Sequence, residues 1–253
     1  MAYPYSRSET VADGTVHVLG LGIAIPAITL LLINASEHGF PVIATTIYAI
    51  SVIASLSASA IYHLMPFDRT RPLLRRMDHA AIYFKIAGTY TPIVIVIGTG
   101  FAYAILALVW VLAIMGATAK LCFWSADSKA SLYLYLGMGW LSVLLIWPMW
   151  QTIPGVALLL IAIGGVTYSL GTIIYAHAGM RYQNAFWHGI VLAATLCLLG
   201  AVTLSVMPDP SVPDRFARKL EHGEIYRLPD VCHHTSGSQQ PVDRSRLHAQ
   251  ACG

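Results

Sequence analysis

Titratable and coordinating residues recur at a four-residue step inside an otherwise apolar chain. Glu9, Asp13 and His17 form one such series, Ser59 and His63 a second, and Asn184 and His188 a third; Asp78 and His79 stand side by side. A four-residue step puts side chains on one face of a helix. Histidines presented by different helices, with a carboxylate close by, suit zinc, which favours nitrogen ligands and in catalytic sites keeps one position for water. A neighbouring carboxylate orients or deprotonates that water. Any one of these histidines, taken alone, reads as an ordinary interfacial residue at a helix end. Their coincidence is what points to a site, because ionisable groups inside a bilayer are costly and face a bundle interior or a cavity.

The elements that must bring them together are membrane helices. The chain has 253 residues, of which 57% are hydrophobic and only 11% charged. A soluble domain carries about a quarter charged residues. A spanning helix needs about 20 mostly apolar residues, and seven runs meet that need: 16–35, 42–65, 79–98, 101–121, 131–150, 154–176 and 185–207. The expectation is an all-α bundle of seven transmembrane helices, with residues 1–15 as an N-terminal segment, 16–207 as the bundle and 208–253 as a polar, flexible tail. The first run reads as a retained helix, since the segment before it lacks the basic start of a cleaved signal.

The connections alternate in charge. Arg69, Arg71, Arg75 and Arg76 lie between runs two and three, Lys129 (with Lys120 at its edge) between four and five, and Arg181 between six and seven. The other three connections hold no Lys or Arg. Positive loops stay in the cytoplasm, so the expected N-terminus is inside, the C-terminus outside, and the location a bacterial inner membrane. On this topology all four polar groups meet at the inner face. Cys232 and Cys252 then lie in an oxidising space where they could pair. Cys122 and Cys197 read as small hydrophobes. No zinc-finger spacing, glycine-rich phosphate loop or nucleic-acid patch is present; the implied partners are membrane lipids.

The chain resembles the haemolysin III / progestin-and-adipoQ-receptor family. The matching pieces are Glu9-x3-Asp13-x3-His17, SASAIYH ending at His63, RRMDHAAIYFKIAGTYTP from Arg75 to Pro92, and NAFWHGIVLAA from Asn184 to Ala194, in the family's order. The resemblance spans the bundle but not the tail. It implies a zinc site near the cytoplasmic face, with His63 and His188 as ligands, Asp78 holding the water and Ser59 lining the site. The family's relation to alkaline ceramidases implies hydrolysis of a lipid amide. Two positions depart from the pattern. Asn184, a poor zinc ligand, stands where the family usually has a histidine, and Asp13 replaces a usual asparagine. His17 and His79 are the substitutes to consider, His177 less so.

Other residues read more blandly. Lys85 could face Asp78, but snorkelling to the inner surface is the preferred expectation, and Pro26, Pro92 and Pro148 are expected to kink or end helices. Thr89, Tyr90 and Thr91 are expected to make interhelical hydrogen bonds, and Trp147, Trp150 and Tyr182 to anchor at the interfaces. Three functions stay open: a zinc-dependent hydrolase of a lipid amide or ester with Asp78 as general base, a non-enzymatic sensor or regulator of membrane state, and a cytolytic protein.

Overall fold

The computed structural model describes residues 6–65, 69–123, 129–176 and 180–207. The chain divides after Pro210, and the description concerns the part before it. His177 and the tail with Cys232 and Cys252 lie outside the described residues. The architecture is all-helical among the described residues: α1 Arg7–Glu37, α2 Val42–Leu64, α3 Arg71–Ile97, α4 Gly100–Cys122, α5 Lys129–Trp140, a 3₁₀ segment Leu141–Leu145, α6 Ile146–Thr152, α7 Gly155–Ala176 and α8 Gln183–Val206. Seven stretches are long and apolar enough to cross a membrane, with α5, the 3₁₀ segment and α6 together making the fifth. The chain is an integral membrane protein. Large apolar side chains such as Ile43, Ile114, Trp147 and Leu159 point outward, the face that lipid covers.

Helix α1 starts nine residues before the expected run. Ser6 and Glu9 form a capping box: the Ser6 side chain accepts from the Glu9 N–H, and the Glu9 carboxylate accepts from the Ser6 N–H at 2.8 Å. This arrangement satisfies two otherwise orphaned groups of the first turn. Residues from Arg7 onward are therefore helix rather than a separate leading segment, and Glu9, Asp13 and His17 lie along it.

The fifth span is interrupted near Pro148, one of the prolines expected to kink or end helices. Pro148 lacks an N–H, and its ring crowds the carbonyl of Leu144, one turn back. The helix tightens into the 3₁₀ segment there, leaving carbonyls in need of donors. Tyr90 of α3 supplies one: its hydroxyl donates to the Met138 carbonyl at 2.8 Å, with the Gly139 carbonyl at 3.0 Å. Ser142 donates its hydroxyl to Gly139 at 2.8 Å. A break inside a membrane is tolerated when neighbours re-satisfy the backbone in this way. Pro26 and Pro92, by contrast, sit inside continuous helices. Thr91 joins α3 to α4 by accepting from the Trp110 ring N–H at 3.2 Å, whereas Thr89 bonds back to Lys85 within α3.

Small residues let α3 approach its neighbours. At Gly116 of α4 an added Cβ would lie 2.5 Å from the Tyr83 ring. Tyr83 cannot yield easily: it is fully buried, its hydroxyl lies 3.0 Å from Ser131 Oγ, and its ring packs on Tyr135 at 4.4 Å. Gly116→Ala is therefore expected to cost about 1–3 kcal/mol by overpacking. It should lower the thermal midpoint in detergent by several degrees, while Gly100→Ala, where nothing lies within 4 Å, should leave it unchanged.

Candidate metal centre

The start of α1, the end of α2, the start of α3 and the start of α8 share one end of the bundle. Each contributes to a buried polar cluster. Asp13 is 3% exposed, and His17, His63, Asp78 and His188 are buried with it. The Asp13 carboxylate is the hub. One oxygen lies 2.6 Å from His188 Nδ1 and the other 3.2 Å from His63 Nδ1. An ionised carboxylate only accepts hydrogen bonds, so both rings donate to it from Nδ1. Their Nε2 atoms are then bare acceptors. Ser59 directs its hydroxyl to His188 Nε2 at 3.4 Å, and His63 Nε2 stands 4.0 Å from Asp78 Oδ2.

His17 completes a knot of three imidazoles from three helices. Its ring centroid is 4.5 Å from that of His188 and 5.6 Å from that of His63, and the latter two are 4.5 Å apart. Its Nε2, 3.8 Å from Asp13 Oδ1, is buried without a hydrogen-bond partner among the described residues. A buried ring nitrogen left in that state is an unmet demand for a ligand or an ion.

The donor set fits a zinc ion. Asp13, His63 and His188 each offer one ligand atom, all within 4.8 Å of one another. Bonds of about 2.0–2.1 Å in a tetrahedron put ligand atoms roughly 3.3 Å apart, which modest side-chain rotation reaches. Two nitrogens and a carboxylate oxygen form a set known for catalytic zinc, with a fourth position to spare.

Of the other candidates, His79 lines the neighbouring cavity and its carbonyl accepts from the Tyr135 hydroxyl at 2.7 Å, but its ring lies outside the imidazole knot. Glu9 plays a fastening role. Its free carboxylate oxygen accepts from the Tyr182 N–H at 3.1 Å, where Tyr182 caps α8 with a left-handed φ of 59°. That conformation is unfavourable for a bulky residue, and the bond to Glu9 holds it while tying α1 to the start of the helix that carries His188. Asn184 lines a small pocket with Glu9 and Asp13. The two positions that depart from the expected family pattern thus face each other across α1 and α8.

The cluster opens into a mainly apolar cavity of about 1000 Å³. It runs from the imidazoles past Ser59 and Asp78 to Ile93, Met149 and Leu158. Lys85 does not snorkel. It is 6% exposed, lines this cavity, and directs its ammonium to Thr195 Oγ1 at 3.5 Å and over the Tyr168 ring at 5.2 Å. Lys120, in the last turn of α4, likewise turns inside, 1% exposed against the same cavity. The expectation for Lys85 rested on the apolar run 79–98, near whose start a lysine can reach the surface; α3 begins at Arg71, which puts Lys85 about four turns inside it.

The fold and this site define a seven-span membrane protein with a histidine–carboxylate centre at one end of an internal cavity. The chain belongs to the haemolysin III family: the model of the Haemolysin-III related family matches residues 5–199. It is 34% identical over 206 residues to Hemolysin-3 of Bacillus cereus, covering 80% of this chain and 94% of that protein. It is 32% identical over 210 residues to the Hemolysin-3 homolog of Bacillus subtilis (strain 168), covering 81% and 98%. The human monocyte to macrophage differentiation factor is 27% identical over 183 residues, covering 68% of this chain and 75% of that one. That match carries the likeness into the wider progestin-and-adipoQ-receptor grouping.

Proposed function

We propose that this protein is a zinc-dependent hydrolase that cleaves an amide or ester bond of a membrane lipid. It would sit in the bacterial inner membrane with its site on the cytoplasmic side. The observation that carries the reading is the convergence of Asp13, His63 and His188 within ligand distance at the polar end of a lipid-sized apolar cavity. The arginines of the connection between α2 and α3 share that end of the bundle, which supports the cytoplasmic placement.

Asp13, His63 and His188 would hold the ion; without it, the Asp13 carboxylate keeps both imidazoles in place through their Nδ1–H groups. A zinc ion bound there polarises a carbonyl and acidifies water. The apolar cavity takes the acyl chain and leaves the scissile carbonyl at the polar end. Asp78 accepts a proton from water as its oxygen bonds to the carbonyl carbon. The C–N or C–O bond then breaks, and Asp78 returns the proton to the departing nitrogen or oxygen. Ser59, bonded to His188, keeps that ring in register. The products are a carboxylic acid and an amine or alcohol.

Purified protein should contain zinc and release fatty acid from a lipid amide such as an N-acyl sphingoid base. A chelator should stop turnover, and zinc should restore it. Protein that holds zinc yet turns over no lipid amide or ester would sink the hydrolase reading.

One observation favours a second reading, a non-enzymatic regulator of membrane state. Asp13 already joins α1, α2 and α8 through hydrogen bonds to His63 and His188, so the cluster can serve as interhelical glue. On that reading, deletion of the gene changes membrane properties and an Asp78→Asn copy restores them.

A further inference from the structure

The buried Lys85 is not used by the proposed hydrolysis. It lies seven residues beyond Asp78 on α3, and Thr195 lies seven residues beyond His188 on α8. Seven residues rise about 10 Å and return to nearly the same face. Lys85 and Thr195 therefore form a second polar layer, two turns deeper into the bundle than the histidine–carboxylate centre.

The hydrogen bonds of this layer leave the cation unmatched. Thr195 donates its hydroxyl to the Val191 carbonyl at 2.7 Å. Its oxygen then accepts, from the Tyr168 hydroxyl at 3.0 Å and from Lys85 at 3.5 Å. The remaining Lys85 contact is the face of the Tyr168 ring. No carboxylate pairs with Lys85 among the described residues. An ammonium held out of water is stable only when paired, and the open side of this one is the apolar cavity.

We infer that the Lys85–Thr195–Tyr168 layer is an anion subsite that binds the carboxylate of an amphiphile whose hydrocarbon body fills the cavity. One cation matches a single negative charge; a dianion would leave a charge uncompensated. The lining on the far side, including Ile93, Leu145, Met149 and Leu158, suits a hydrocarbon chain. The inference is independent of the hydrolase reading, because neither zinc nor turnover enters it.

The test is equilibrium binding of radiolabelled palmitate to the full-length protein in detergent, with unlabelled palmitate, hexadecanol and acetate as competitors. Native protein should bind palmitate saturably, with hexadecanol and acetate competing poorly. Lys85→Met should weaken palmitate binding about tenfold or more, the scale of one charge-assisted hydrogen bond, and Lys85→Arg should retain it. Removing metal with a chelator should leave palmitate binding unchanged, which separates this site from the metal centre. A Lys85→Met protein that elutes as a folded monodisperse species and binds palmitate like the native would overturn the inference. So would hexadecanol competing as well as palmitate, which would leave only a hydrocarbon pocket. Acetate competing as well as palmitate would overturn the amphiphile.

Discussion

If the proposed hydrolysis holds, Asp78→Asn should keep zinc and lose lipid hydrolysis by about a hundred- to ten-thousandfold, the range that a positioned general base contributes. The expectation rests on where Asp78 stands. It is buried at the start of α3, with Oδ2 4.0 Å from His63 Nε2. It is also outside the Asp13, His63 and His188 group that converges to ligand distance. Asparagine keeps the size and one oxygen acceptor of aspartate but cannot take up a proton at neutral pH. The loss should therefore fall on kcat, with KM near the native value, because the cavity proposed to take the lipid is unchanged. Metal analysis on the same preparation separates the possibilities. A variant that loses both zinc and activity would make Asp78 a ligand. One that hydrolyses at the native rate would remove it from the chemistry.

The bundle was legible in the sequence because lipid imposes a simple rule: about 20 apolar residues per span. The breaks within that rule were less so. Pro148 signals an interruption, but the tyrosine that makes it tolerable, Tyr90, comes from another helix some fifty residues away. The start of α1 was misjudged because apolar content marks only its lipid-facing stretch, whereas the Ser6–Glu9 capping box, readable as S-x-x-E, marks its true beginning. For the site, the four-residue steps group Asp13 with His17, Ser59 with His63 and Asn184 with His188, and the structure buries His17, His63, Asp78 and His188 in one cluster. The hub role of Asp13 was not legible. Nothing in the spacing says that its two oxygens reach Nδ1 atoms on two other helices. The inward turn of Lys85 depends on Thr195 and Tyr168, which no local pattern connects to it.

The second large effect concerns the two departures from the pattern that the chain resembles. Asn184 takes away an imidazole, and Asp13 adds a carboxylate. The structure brings both to the lining of one small pocket between α1 and α8, with Asn184 four residues before His188 on the same helix face. The exchange reads as a compensation: an anionic oxygen from α1 replaces a nitrogen from α8. Asp13→Asn should weaken zinc binding by about a hundredfold or more. It removes a ligand, and the loss of even a group that only orients a ligand costs about 10- to 100-fold in affinity. Adding Asn184→His to Asp13→Asn should restore binding to near the native level, because the new imidazole enters beside the vacated carboxylate. Asn184→His alone should leave zinc bound. Zinc affinity measured by competition with a chelating dye reads all four proteins on one scale. If Asp13→Asn binds zinc as tightly as the native protein, Asp13 is neither ligand nor orienter. A double variant no better than Asp13→Asn would mean that the two positions do not exchange, and that the missing nitrogen must come from His17, the one imidazole of the knot whose Nε2 has no partner among the described residues.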